Sequence, residues 1–366
     1  MIHVMCSVHN MSRTRIEIGS EFWLEREPAD ISHREGCYVL SGRTAIDLII
    51  QDIARTRPVR KVYMPAWGCE SMIAPFITRG IDVSFYDVEL CTDEKSYVES
   101  GNSEVKYKTN TDSVDETAIL YLTNYFGYEN TLNPDVIRQF KAKGALIIYD
   151  RTHSLMVEDD LYMTLADYSF ASIRKWMGVI GGAVVEGVRA YLLKPCPYLD
   201  CKKQAMQMKQ YYMAGDNTVD KQSFLKLYGE FGHHLSEDYH SYEMDDLSYA
   251  LYKSEDLGAM RHKRRENAEH LHRHLKGVRF IGELTANVVP LFVPVFFENK
   301  ELRDAVRRKL VEAQIYCPIH WPKPEQVPTG FKANKIYDTE LSLICDHRYS
   351  IDDMERLVRE VNGLIA

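Results

Sequence analysis

Asp150 stands directly behind the apolar run Ala145 to Tyr149 and opens the segment Asp150-Arg151-Thr152-His153. Further along, Ser172-Ile173-Arg174-Lys175 follows a second short run, Asp167 to Phe170, and precedes the pair Gly181-Gly182. A carboxylate at the carboxyl end of a strand can pair with the protonated ring nitrogen of a pyridine cofactor, which keeps that ring an electron sink. A lysine beyond the next strand can join the cofactor's aldehyde as a Schiff base, and a serine in the preceding turn can reach a phosphate. Taken singly, a helix-capping Asp and a surface Lys are the better readings. Their order along the chain favours the chemistry.

Two further segments could serve the same site. Ser41-Gly42-Arg43-Thr44-Ala45 opens the first strong helical pattern. Backbone N–H groups at a helix start bind anions, and glycine lets the chain approach closely, although an ordinary capped start fits equally well. Met64-Pro65-Ala66-Trp67-Gly68-Cys69 again follows a strand. Trp67 can stack on a planar ring or fill the core, and Cys69 is better read as a buried thiol than as a nucleophile. There is no Walker loop, and no G-x-G-x-x-G stands near a strand end, which lowers the nucleotide-binding alternatives. His270 and His274 share a helix face, where exposed side chains are the expectation; Cys196 and Cys201 lack a second pair, and no metal site is expected.

The elements that must position these residues alternate. Strands are expected at Lys61 to Met64, Val83 to Tyr86, Thr117 to Thr123 and Ala145 to Tyr149. Helices are expected at Thr44 to Ala54, Ser71 to Arg79 and from Asn133-Pro134 to Gly144. This rhythm predicts an α/β fold with a doubly wound, mostly parallel sheet, in which ligands gather at the strands' carboxyl ends. Residues 190 to 275 read as mostly helical, with the basic run Arg261 to Arg265 on a solvated face. Strands near Val288 to Phe296 and Leu341 to Cys345, with helices near Leu302 to Ala313 and Asp352 to Val361, predict a smaller α+β unit. The expected division is a lead-in over 1–36, a large cofactor-binding domain over 37–250 and a small domain over 251–366.

Composition sets the outer limits. A chain of 366 residues is long enough for about two cores. Its net charge of -8, without a long basic block, speaks against nucleic acid as a partner. The longest apolar run, Val288 to Phe297, contains two prolines and is too short for a membrane span. The first residues lack a signal-peptide pattern, and eight scattered cysteines suit free thiols, so a cytoplasmic location is expected.

Together these segments resemble the DegT/DnrJ/StrS family of sugar aminotransferases, pyridoxal-phosphate enzymes of fold type I. Ser41 to Ala45 looks like the family's phosphate turn, and Pro65 to Cys69 like its P-x-x-T-F segment. Ala118 to Gly127 looks like the strand that ends in an aromatic-Gly pair, Ile148 to Ser154 like the D-x-x-H/Q-S block, and Ser169 to Gly182 like the lysine segment. Five motifs stand in the family's order. The resemblance implies that Lys175 forms the internal aldimine with pyridoxal 5'-phosphate and shuttles the proton, and that Asp150 holds the pyridinium. It implies His153 near the ring, and Gly42, Arg43 and Ser172 at the phosphate with Ser169 as a second candidate. Trp67 or Cys69 would stand against the ring. It also implies a homodimer.

Arg43 and Cys69 depart from the family's usual residues, and Arg174 before the lysine is a further departure. The expected reaction moves an amino group from an amino acid, glutamate being one candidate, to a keto acceptor, a nucleotide-linked keto sugar being another. His320, Trp321 and Arg348 are candidates for substrate contacts. The alternatives are another pyridoxal-phosphate reaction, such as a dehydration, or a binding or regulatory protein of the same fold without turnover.

Overall fold

The computed structural model describes residues 13–24, 35–92, 101–108, 112–128, 132–158 and 160–365. The chain begins with β1 (Ile18–Gly19), β2 (Cys37–Val39), α1 (Gly42–Ala54), β3 (Lys61–Pro65), α2 (Glu70–Thr78), β4 (Asp82–Thr92) and β5 (Gly101–Lys108). It continues with β6 (Ala118–Thr123), α3 (Pro134–Ala142), β7 (Leu146–Asp150), α4 (Leu161–Leu165), β8 (Tyr168–Ser172) and β9 (Ala183–Glu186). Helices α5 (Leu199–Met213), α6 (Lys221–Glu237), α7 (Asp246–Lys253) and α8 (Leu257–His274) follow. The last part holds β10 (Arg279–Phe280), β11 (Val293–Phe296), α9 (Lys300–Glu312), β12 (Ile315–Tyr316), α10 (Ala333–Thr339), β13 (Glu340–Leu343) and α11 (Ile351–Ile365).

Strands β4-β3-β6-β7-β8 form the parallel centre of an eleven-stranded sheet. Strands β9 and β2 extend one edge antiparallel, and β5, β10, β11 and β13 extend the other. The expected α/β fold with a mostly parallel central sheet is the fold observed. Central strands lie between two apolar layers. Ile119, Tyr121 and Ile148 face the core of α1 and α2, while Leu120, Leu122, Ile147 and Tyr149 face the other side. Burial on both faces is why these strands read as continuous apolar runs rather than alternating ones. No helix among the described residues is long and apolar enough to cross a membrane.

Local chemistry sets the helix starts. The Ser41 hydroxyl accepts the Thr44 N–H at 3.2 Å, which contributes about 1 kcal/mol, and the Asn133 side chain caps α3 with Pro134 in its first turn. Helix α1 then buries Ala45, Ile46, Ile49, Ile50 and Ile53 against the sheet. At the far end, Asp150 and Thr123 sit side by side in the register of β6 and β7, and Phe170 is level with Asp150 on β8. The carboxyl ends of three parallel strands thus converge.

Three expectations change. Most of the lead-in over 1–36 lies outside the described residues, but 13–24 packs against the C-terminal part through β1, paired parallel with β12. The strand expected near Val288 starts only at Val293, because Arg264 and Arg265 donate to the carbonyls of Val288 and Leu291. Those carbonyls are lost to a sheet ladder. For the same reason the basic run is not a solvated face throughout: Arg264 is fully buried, with its guanidinium 4.7 Å from the Trp176 ring. Strands β2, β5 and β9 carry no sequence expectation; each pairs antiparallel to a neighbour, and antiparallel edges need no crossover helix to announce them.

Candidate active site

A cleft opens where the carboxyl ends of β7 and β8 meet the start of α1 and the loop after β3. Gly42, Arg43, Cys69, Asp150, His153, Ser172, Lys175 and Trp321 all line it. Residues from seven separate stretches of sequence line this one space.

At one end lies Asp150, which is buried and fully partnered. The Tyr121 hydroxyl donates to one carboxylate oxygen at 2.7 Å and the Thr152 N–H to the other at 2.9 Å. Burial raises its pKa, while hydrogen bonds from Thr152 and Tyr121 and the charge of Lys175 oppose that rise. Burial also lowers the pKa of Lys175, with Cys69 and Asp150 favouring its charged form. The lysine is thereby moved toward the range in which an amine can act as nucleophile and base.

His153 forms a wall beside them. Its Nδ1 accepts the Phe126 N–H at 3.2 Å, so a neutral ring carries its proton on Nε2. Burial, Lys175 and His320 together push its pKa well below that of a free imidazole. The Trp321 ring stacks on it at 5.5 Å and 24°. The loop that supplies the Phe126 N–H is strained: Phe126 has a φ of 63°, and a Cβ at Gly127 would lie 2.2 Å from the Val289 carbonyl oxygen. Only glycine fits at 127, and packing must compensate for the cost at 126.

The other end differs in kind. Arg43 Nε, Ser172 Oγ and Arg174 Nε are buried and have no hydrogen-bond partner, yet all three residues line the cleft. They surround the N-terminus of α1. Burial pulls the Arg174 guanidinium below its usual pKa; the Glu21 carboxylate opposes the shift and Arg43 adds to it. A Cβ on Gly42 would stand 3.5 Å from Phe170 and 3.8 Å from Ser172, which places the start of α1 close to both cleft residues. Orphaned buried donors are uncommon in folded proteins. Two guanidiniums and a hydroxyl at a helix N-terminus form a seat for a doubly charged anion such as a phosphate.

Four expected residues lie elsewhere. Trp67 is fully buried, stacked on Tyr125 at 4.2 Å with its indole N–H donating to the His320 carbonyl, so it is core and not a cleft wall. Ser169 points away from Phe170 and Ser172, as strand alternation requires, and its hydroxyl donates to Glu186. Arg348 forms a two-point pair with Asp346 and lies 3.8 Å from the Phe22 ring, which ties it to the 13–24 segment. His320 stands behind Trp321 and His153 rather than in the wall. Conversely, Thr123, Thr152, Arg174 and Leu235 line the cleft without having been expected there, and Tyr121 supports Asp150 from behind. Strand period was the available signal for Tyr121, two residues before the cleft residue Thr123 on the same face. Leu235, from α6, had none.

No family model and no curated protein sequence matches the chain. Solved structures do. A DegT DnrJ EryC1 StrS aminotransferase from Brucella abortus superposes with a TM-score of 0.58 at 16% identity, over 90% of this chain and 86% of that one. The sugar aminotransferase CalS13 from Micromonospora echinospora gives 0.55 at 13% identity, over 89% and 86%. NtdA from Bacillus subtilis with bound cofactor PMP gives 0.59 at 15% identity, over 91% and 73%. The chain shares the fold of these proteins.

Proposed function

We propose that the protein is a pyridoxal-phosphate-dependent aminotransferase acting on a keto sugar. The observation that carries this reading is the pairing, in one cleft, of a buried carboxyl beside a lysine with an orphaned dianion seat. A ligand with a cationic ring nitrogen at one end and a phosphate at the other satisfies both. When bound, its pyridine ring supplies the sink for negative charge developing at the substrate carbon.

The chain's own groups divide the remaining work. Asp150, aligned by Tyr121 and Thr152, holds the ring nitrogen protonated. Lys175 Nζ would hold the cofactor and, as a free amine, would take and return the substrate proton. Arg43, Gly42, Ser172 and Arg174 hold the phosphate; His153, Trp321 and Cys69 bound the ring. Glutamate as donor and a nucleotide-linked keto sugar as acceptor are what the family resemblance implies; the likeness to a solved sugar aminotransferase supports a sugar substrate but names neither partner. The resemblance also supports a homodimer. A division into 37–250 and 251–366 is supported by a second core built from Ile18 and residues between Ala268 and Val361.

The test is an absorbance spectrum with added pyridoxal phosphate, beside Lys175→Ala. A visible band in the wild type, fixed by borohydride onto the Lys175 peptide and absent from the variant, supports the reading. Single amino acids that bleach the band identify the donor, and nucleotide-linked keto sugars that restore it identify the acceptor. No band at excess cofactor would overturn it.

A further inference from the structure

Behind the Trp321 wall lies a buried polar chain that the proposed reaction does not use. Glu340 and Ser342, on β13, are both fully buried. One Glu340 oxygen accepts the His320 backbone N–H at 2.6 Å, and the other lies 2.5 Å from the Ser342 hydroxyl. That hydroxyl lies in turn 2.8 Å from His320 Nδ1. The His320 carbonyl accepts the Trp67 indole N–H at 2.9 Å, so the residue is held at three points.

Counting protons along this chain leaves two arrangements. The Ser342 hydroxyl has one hydrogen and two neighbours. If Glu340 is ionised, Ser342 donates to it and must accept from His320, so His320 carries Nδ1–H and Nε2 is a bare acceptor. If Glu340 is neutral, its own O–H donates to Ser342, and Ser342 donates to Nδ1. His320 then carries its proton on Nε2. The conversion releases one proton in total: Nε2 loses a hydrogen, Ser342 passes its own to Nδ1, and Glu340 passes its own to Ser342. Heavy-atom positions are the same in both.

We propose that Glu340 is a positioning residue that, through Ser342, decides which ring nitrogen of His320 carries the proton and supplies the proton that Nε2 gives up. The ring it controls is packed 5.8 Å from the His153 ring and precedes Trp321, a cleft wall. Lys175 is the charge felt at His320, and burial together with that charge pushes the imidazole down to about 3, so it stays neutral. The other rings around it, Phe126, Phe292 and Trp321, are uncharged.

The groups around Glu340 are few. On α9, Arg303 faces it and donates to its carbonyl oxygen while pairing with Asp304; from the segment after β12 come the Cys317 thiol and His320. Phe296 stands opposite on β11. Burial pushes the carboxyl up to about 8, against the hydrogen bonds from Ser342 and His320 and the charge of Arg303. The neutral arrangement, with Nε2–H, therefore holds at neutral pH and gives way above about pH 8.

The tautomer claim stands on this geometry and on the burial of the carboxyl, without the cofactor; its effect on turnover rests on the aminotransferase reading. The test is the ring nitrogen signals of His320 in ¹⁵N-histidine-labelled protein from pH 6 to 10. The wild type should pass from the Nε2–H to the Nδ1–H pattern with a midpoint near 8. Glu340→Gln keeps an acceptor for the His320 N–H and donates permanently to Ser342, so it should hold Nε2–H at every pH. Ser342→Ala interrupts the chain and should abolish the transition in the ring. An unchanged wild-type pattern across the range overturns the proposal, as does a variant ring that titrates like the wild type. If the tautomer switches but no cofactor band ever forms at Lys175, the relay survives and the functional reading falls. If the band forms and the tautomer is fixed, the reverse holds.

Discussion

The two ends of the cleft are built on opposite plans. Around Asp150 each carboxylate oxygen has a donor in place, from Tyr121 and from the Thr152 backbone. Around the start of α1, Arg43 Nε, Ser172 Oγ and Arg174 Nε are buried without partners. A satisfied end is preorganised: it orients a group whatever the ligand does. An orphaned end costs free energy until something arrives, because buried polar atoms without hydrogen bonds lose their solvation uncompensated. The contrast assigns orientation to one end and affinity to the other.

The largest effect should come from the lysine between them. Lys175→Ala should remove the cofactor band and reduce turnover by roughly 10²–10⁴-fold through the lost proton transfer alone, measured as single-turnover rates. Next are the guanidiniums. Arg174→Met or Arg43→Met should weaken pyridoxal phosphate binding by roughly 10–100-fold, as expected for a charged hydrogen bond, while barely changing affinity for pyridoxal, which lacks the phosphate. In the cofactor-free protein the same variants should unfold no earlier than the wild type. Equal losses for both ligands would break the assignment of the anion seat.

Tyr121→Phe sharpens the comparison from the other side. It leaves one oxygen of buried Asp150 unpartnered, so the cofactor-free protein should lose about 1–3 kcal/mol in denaturant melts. Ser172→Ala should do the opposite: no loss without cofactor, and a decrease in cofactor affinity of about tenfold or less. If both variants destabilise the free protein alike, the two ends are not distinct.

The last effect lies outside the cleft and is read as a slope against pH. Glu340 has a folded-state pKa raised above its ordinary value, to about 8, so the folded protein binds the proton that the unfolded chain releases. Its contribution to stability is therefore present below the unfolded pKa and is lost as pH rises toward about 8, at most about 1.4 kcal/mol per pH unit. Glu340→Gln should flatten that part of the stability-against-pH curve. Matching slopes in the two proteins would show that the carboxyl is not held neutral.

Much of the site was legible because its residues sit at strand ends. Asp150, His153, Ser172 and Lys175 follow apolar runs that could be recognised without coordinates, and Gly42 and Arg43 open a capped helix. What failed was direction. Trp67 and Cys69 share one loop, yet only the thiol reaches the cleft, because the indole is drawn into a cluster with Tyr125, Phe126 and Trp321. Ser169 and Ser172 share one strand region, and the pleat sends only Ser172 inward. Arg174 was visible but read as a departure beside the lysine; its buried, unpartnered Nε is what makes it a candidate ligand. Leu235, far along the chain on α6, could not have been assigned.

By itself the sequence determined the order of the central strands and the helices between them, the parallel centre of the sheet, and the ends at which chemistry gathers. These follow from periodicity and capping, which act over a few residues. Only the tertiary structure decided which side chains face the cleft, which donors are left unpartnered, and that Glu340 and Ser342 reach His320 behind it. Those depend on contacts between segments far apart in the chain, set by packing and by where each buried polar atom finds a partner.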